Sequence, residues 1–173
     1  MEQAGVMPGQ AAVPSVTKGS QTGVAAVAWK ESLVWKMRDG TLAIVGETTV
    51  AFESDDKPAT TVTRLFADRL EAVLTSMSLT PESGGTSPQQ AMQIRSASAV
   101  GNVAVRGSGL SFDAGKLEFD ASSNLATASG QDGRSVEVFT EDGKSSARFN
   151  GLRWDVATGQ VKDLRGIDVR ARP

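Results

Sequence analysis

Three aspartates, Asp113, Asp120 and Asp155, stand at the ends of short apolar runs, where carboxylate chemistry would be sought. A pair of carboxylates can act as acid and base on a glycosidic bond, and a group of them can supply oxygen ligands to calcium. Asp also closes turns by accepting hydrogen bonds from nearby backbone, and the sequence context of these three favours that structural role. Gly107-Ser108-Gly109 lacks the third glycine and the following helix of a dinucleotide-binding loop, and reads as a turn. Lys162, Arg165, Arg170 and Arg172 form a mild basic cluster able to touch phosphorylated headgroups, but Asp163 and Asp168 interleave with them, as on a solvated face. Histidine and cysteine are absent altogether, which excludes thiol chemistry, disulfides, the usual zinc sites and an imidazole base. No catalytic residue, metal site or cofactor is therefore expected, and the chain is read as no enzyme.

The elements that would position any site are strands. From Ile94 to Gly130 apolar residues recur at every second position, as Val103 and Val105, Leu110 and Phe112, Leu117 and Phe119. Alternation of this kind gives a strand one greasy face, and the other face here carries Asn102, Arg106, Ser111, Asp113, Glu118 and Asp120. Glycine and polar clusters separate the runs, as turns require. Leu117-Glu118-Phe119-Asp120, closed by Gly130, returns as Leu152-Arg153-Trp154-Asp155, closed by Gly166, at a period of about 35 residues that marks stacked supersecondary units sharing a core. Gly46 through Leu74 is a weaker earlier copy.

Composition agrees with many short strands. The chain has 173 residues, 39% of them hydrophobic and only 5% aromatic, with 18 glycines, so its core must come from Val, Leu, Ile and Ala. Eighteen basic residues against 20 acidic ones create no field that would attract nucleic acid or an anionic membrane. Residues 1–25 are rich in Gly, Ala, Gln, Pro, Ser and Val without sustained periodicity, and read as a disordered tail or linker before one domain at 26–173. That segment lacks the basic start and apolar stretch of a secretory signal, and no run is long enough to span a bilayer. An exported chain would carry its targeting segment upstream of Met1.

Within 26–173, Val27 to Phe52 reads as strands with a hairpin at Asp39-Gly40. Residues 63–77 are ambiguous: Leu65, Phe66, Leu70, Val73, Leu74 and Met77 make an amphipathic helical stripe, which local physics favours, while Leu70, Ala72 and Leu74 suit one face of a strand. Residues 78–90, with Pro81, Gly84, Gly85 and Pro88, form a loop. Beyond the central stretch, turn signals at Asp132-Gly133 and Asp142-Gly143 make the C-terminal half an antiparallel meander.

Ala99-Val100-Gly101-Asn102-Val103-Ala104-Val105, then Asp113-Ala114, Leu117-Glu118-Phe119-Asp120 and Gly130, resembles the repeat of the OstA-like family of lipopolysaccharide-transport proteins, the periplasmic LptA and LptC type. In that family a GNV strand precedes A-x-x-L-x-Y-D and a closing glycine; Phe119 and Trp154 stand here where Tyr is usual. Ala67-Asp68-Arg69-Leu70-Glu71-Ala72 is similar to the family's A-D-x-L-x-V strand, which tips residues 63–77 from helix to strand. The resemblance covers roughly residues 40–170 and implies an all-β fold, a twisted, partly open β-jelly roll (a β-taco) of repeated antiparallel strands. It further implies a periplasmic location, a role in outer-membrane biogenesis, and edge-to-edge joining with other transport components or head to tail with further copies.

A folded-over sheet with an apolar inner face can hold acyl chains out of water while a polar headgroup stays outside, at about 0.8 kcal/mol per buried methylene. The expected lumen residues are Val103, Val105, Leu110, Phe112, Leu117, Phe119, Val136, Val138, Phe149, Leu152 and Trp154, and the expected partner is lipopolysaccharide or a similar amphiphile. Two alternatives stay open: that these side chains pack only against one another as an ordinary core, and that the strands form a scaffold associating through their edges without lipid.

Overall fold

Twelve strands make up the computed structural model, which describes residues 2–5, 9–18, 21–36, 38–54, 62–78, 90–107, 110–140 and 143–168. They are β1 (Glu2–Gly5), β2 (Gly9–Lys18), β3 (Gln21–Trp29), β4 (Ser32–Lys36), β5 (Thr41–Ser54), β6 (Val62–Ser78), β7 (Gln90–Arg106), β8 (Ser111–Asp120), β9 (Leu125–Ser129), β10 (Val136–Phe139), β11 (Ser146–Asp155) and β12 (Val161–Asp168). All belong to one sheet, antiparallel except for a short parallel contact between β2 and β7. No helix occurs among the described residues.

The long strands bend at a common row. Gly46 and Glu47 bulge out of β5, and Gly101 and Asn102 bulge out of β7, all four with positive φ. On β6 and β8 the same row appears as a slip in alternation: the inward residues are Leu65, Ala67, then Leu70 on β6, and Phe112, Ala114, then Leu117 and Phe119 on β8. A bulge puts two residues opposite one, so the partner strand must re-phase its faces to keep apolar side chains inside. Residues 130–135 leave the ladder at this row, between β9 and β10, and fold over Gly115. A Cβ on Gly115 would lie 2.3 Å from Gln131 Cβ, so only glycine admits that crossing.

This row, here called the spine, divides the sheet into two tiers. The first holds β1, β4, β9 and residues 41–45, 69–78, 90–100, 116–120, 151–155 and 161–165; the second holds β3, β10 and residues 48–54, 62–67, 103–106, 111–114, 146–149 and 167–168. β3 and β4 lie end to end along β5, and β9 and β10 end to end along both β8 and β11. On the outer surface the spine carries polar links: Asn102 Nδ2 donates to Asp68 Oδ2 at 2.9 Å, Arg134 Nη1 donates to Asn102 Oδ1 at 3.3 Å, and Lys30 pairs with Glu47.

Residues 63–77 are strand throughout, within β6. The repeated unit is a hairpin in both copies, β8 with β9 and β11 with β12. The segment 1–25, expected as a tail or linker, carries β1, β2 and the first residues of β3, because backbone pairing asks for no apolar period when a neighbouring edge is available. Residues 55–61, residues 79–89 of the loop expected at 78–90, and the residues Ser108, Gly109, Asp142, Arg170 and Arg172 fall outside the described residues.

Candidate functional site

Apolar side chains from both tiers line one groove of about 150 Å³ running beside the spine. Val50, Phe52, Leu65 and Val105 come from the second tier; Leu70, Ile94, Ala97, Ala99, Leu117, Phe119, Ala126, Trp154 and Val156 come from the first tier and the turn that follows it, and Thr63 is the polar residue in the lining. The walls rest on two buried clusters, one around Val27, Ile44, Ala67, Leu70, Ala99 and Val103, the other around Val105, Phe112, Ala126, Ala128, Val136, Leu152, Trp154 and Val156. Leu65, Ala114 and Leu117 pack against both clusters, so the apolar interior is continuous around the bend.

Of the eleven residues expected to face a lumen, Val105, Leu117, Phe119 and Trp154 line the groove. Val103, Phe112, Val136 and Leu152 are almost wholly buried in the clusters behind it, and Phe149 is buried at 8% exposure on β11. Leu110 and Val138 are half-buried and pack against the second cluster. Phe112 meets Trp154 edge to face, with ring centroids 5.1 Å apart, so part of the expected lumen is filled by rings touching each other. Both the packed-core reading and the groove reading describe part of this interior: the rings seal one side and Phe119 stands on the open side.

Sequence reasoning missed the wall contributed by β5, β6 and the start of β7, namely Val50, Phe52, Leu65, Leu70, Ile94, Ala97 and Ala99. The signal existed in Val50 and Phe52, which alternate, and in Ala97 and Ala99, whose size gives room rather than contact. Thr48 is the one polar side chain in the buried set among the described residues, at 2% exposure beside the spine.

The carboxylates lie elsewhere, each with an ordinary task. Asp120 accepts hydrogen bonds from the Ser122 hydroxyl at 2.7 Å and the Ser122 backbone N–H at 2.8 Å; the hydroxyl first, then the amide, hold its pKa below the usual 3.8. Asp155 accepts from the Ala157 and Thr158 amides, both at 3.0 Å, and the Thr158 amide leads in lowering its pKa below 3.8. Asp113 closes no turn: it lies within β8 and pairs with Arg106, whose guanidinium also donates to the Val105 and Phe112 carbonyls and stacks over Phe139 at 5.2 Å. Arg106 thus clamps the facing ends of β7 and β8. Among the described residues no group of three potential metal ligands comes together. Lys162 and Arg165 face Asp155 and Asp163 across short distances on an exposed strand.

No family model and no curated protein matches the chain. Among solved structures it is similar to LptH of Pseudomonas aeruginosa, described as the LptA-homologous periplasmic component of the conserved lipopolysaccharide transport device, with a TM-score of 0.53 and 12% identity over 90% of this chain and 99% of that one. The likeness shows the fold: an all-β sheet of the LptA β-jelly-roll kind, as the resemblance to the OstA-like repeat implied.

Proposed function

We propose that the chain is a non-catalytic periplasmic carrier that shields acyl chains of lipopolysaccharide, or of a similar amphiphile, during passage to the outer membrane. The observation that carries this reading is the two-tier groove, whose lining is apolar apart from Thr63 and which leaves Phe119 half-exposed to a ligand. An amphiphile needs no specific polar contact there, because each buried methylene contributes about 0.8 kcal/mol. The shared fold with LptH supports the same class of role. The lumen is assigned to Val105, Leu117, Phe119 and Trp154 directly, with Val103, Leu110, Phe112, Val136, Val138, Phe149 and Leu152 as its supporting wall.

β12 closes the order of strands and has β11 as its only partner among the described residues, which supports joining to another transport component or a second copy by strand addition. That free edge also suits a scaffold without lipid, and the groove favours the carrier. A photo-crosslinking amino acid placed at Phe119 in cells of the source organism decides between them. Capture of lipopolysaccharide or another envelope lipid is expected; crosslinks to protein alone, with the same outcome at Leu117, would remove the lipid from the reading and leave the scaffold.

A further inference from the structure

The groove is small for the cargo its fold suggests. A dry apolar cavity of about 150 Å³ holds one benzene, so the sheltered part of the groove takes about six carbons and a longer chain would extend past Phe119 into water. Sheltering the whole of a longer chain needs the tiers to part about the spine. Parting them leaves the ladders within each tier intact from β5 to β8, which cross the spine at bulges where pairing is already interrupted, while β11 and β12 cross it in register and must bend there, at Gly166 with its positive φ.

One set of backbone bonds opposes that movement. β2 lies along β3 in the second tier, pairing from Gly9↔Trp29 to Lys18↔Gln21. Near its end it reaches across to the far tip of the first tier, where Val16 pairs with Met92 and Thr17 with Gln93 of β7. The neighbouring residue Ile94 lines the groove, and Gly23, the partner of Val16 in β3, pairs with Ser54 two residues beyond Phe52. The crossing therefore lies at the mouth, opposite the spine. Among the described residues no other pairing joins a strand of one tier to a strand of the other. The contact is short and parallel, the less stable kind of ladder per residue.

We propose that β2 is a strap across the mouth of the groove, and that a hydrocarbon longer than about six carbons enters whole only when Val16 and Thr17 release Met92 and Gln93. This rests on the carrier reading and adds a regulated step to it. The strap keeps the apolar interior from water and from other exposed edges while the groove is empty, and its two residue pairs are few enough for cargo to displace.

The chain has no cysteine, so a designed pair is the only thiol chemistry present. Thr17 and Gln93 are register partners on neighbouring strands, about 4.8 Å apart, inside the span a disulfide bridges. The full chain carrying Thr17→Cys and Gln93→Cys is compared with the native chain by tryptophan fluorescence in stopped flow, using benzene and dodecanoate below its micelle concentration. Benzene is expected to bind both forms alike. Dodecanoate is expected to load the oxidised form at least about tenfold more slowly than the native chain, with the rate restored by dithiothreitol. Thr17→Pro, which disfavours strand pairing at the crossing without a crosslink, is expected to speed dodecanoate loading. An oxidised pair that loads dodecanoate at the native rate overturns the strap and leaves the carrier reading standing, and so does failure of the two thiols to join under oxidant. A native chain that binds neither benzene nor dodecanoate overturns the carrier reading and the strap together.

Discussion

The two copies of the repeat share a sequence and differ in their surroundings. In the first, β9 lies between β8 and β11, and Ala126 and Ala128 are almost fully buried. In the second, β12 has β11 on one side and an open edge on the other, and Val161 and Leu164 stand 45% and 41% exposed. Ala128 and Leu164 are both register partners of Leu152, one on each side of it. A small residue is used where the sheet continues, and a large one where it stops. The repeat therefore specifies a hairpin, while the next strand decides which of its side chains become core. Large apolar residues left on an open edge mark the place where another strand would complete the unit, which is why the edge enters the proposed function.

The sharpest way to break this comparison is to truncate both leucines. Leu152 sits at 1% exposure in the cluster behind the groove, and Leu152→Ala is expected to cost about 2–5 kcal/mol of stability. Leu164→Ala, on the open edge, is expected to change the isolated chain by less than about 0.5 kcal/mol. Urea denaturation of both variants measures the contrast. Equal losses would mean that the edge of β12 is covered in solution, and a loss at Leu164 that grows with protein concentration would identify a second copy as the cover.

A second contrast compares the glycines that close each copy. A Cβ at Gly130 would fall 1.6 Å from the Arg134 carbonyl oxygen, and backbone can yield only if the whole 130–135 crossing moves. At Gly166, with φ +62°, a Cβ would meet the side-chain amide of Asn150, which can swing away, leaving the strain of the left-handed backbone. Gly130→Ala is expected to cost about 3 kcal/mol and Gly166→Ala about 1–2 kcal/mol. A reversed order in thermal melts would show that the crossing over Gly115 adapts readily and does not fix the bend.

The same spine explains what could and could not be read from the sequence. β8 and β11 were legible because Leu117 and Phe119, or Leu152 and Trp154, alternate on one side of the bend, where the side-chain period is undisturbed. β6 was not legible by local physics, because the step from Ala67 to Leu70 inserts a three-residue interval into a two-residue period. Phe66, Leu70, Val73, Leu74 and Met77 fall at the spacing of a helical stripe, although Phe66 is an exposed residue of the strand. Only likeness to a known repeat corrected it. The groove was legible as an apolar face, yet which members fill the interior and which border open space depends on the fold of one tier onto the other. Phe112 and Phe119 look equivalent in sequence, but Phe112 is sealed against Trp154 and Phe119 stands at the groove. The pairing of residues 2–18 left no periodic trace, since those strands are held by backbone pairing with β4 and β3, which asks for no apolar alternation.

A smaller effect tests whether the groove side of the repeat is set by ring size. Phe119→Ala removes a half-buried ring from the groove wall and is expected to cost about 1–2 kcal/mol, below the about 3–5 kcal/mol of a fully buried aromatic. It should also let the native-length strap admit larger apolar probes, read as tighter binding of naphthalene relative to benzene. Trp154→Phe, which shrinks a lining ring but keeps an aromatic partner for Phe112, is expected to shift that ratio less. An equal shift in both variants would mean that the two rings act as one wall and that the copies do not differ here.

The smallest expected difference concerns the aspartates that end the first strand of each copy. Asp120 and Asp155 each accept hydrogen bonds that hold the carboxylate form, from the Ser122 hydroxyl in one case and the Thr158 amide in the other, so their folded pKa values lie below 3.8. A carboxyl with a lowered folded pKa binds its proton more readily when unfolded. Its stabilising contribution is therefore present above pH 3.8 and is lost as pH falls through the folded values. Asn keeps an acceptor oxygen but cannot titrate, so Asp120→Asn and Asp155→Asn are each expected to flatten the decline of the melting temperature below pH 4. Both groups are exposed, so the effect should be slight near neutrality. Asp155 has Lys162 at 3.8 Å on the edge strand and Asp120 feels the charge of Arg95, each a smaller cause than the hydrogen bonds, so added salt should weaken both contributions only slightly. A decline below pH 4 as steep in both variants as in the native chain would show that these turns are held by the backbone alone, and that the shared aspartate is not what closes the hairpin in either copy.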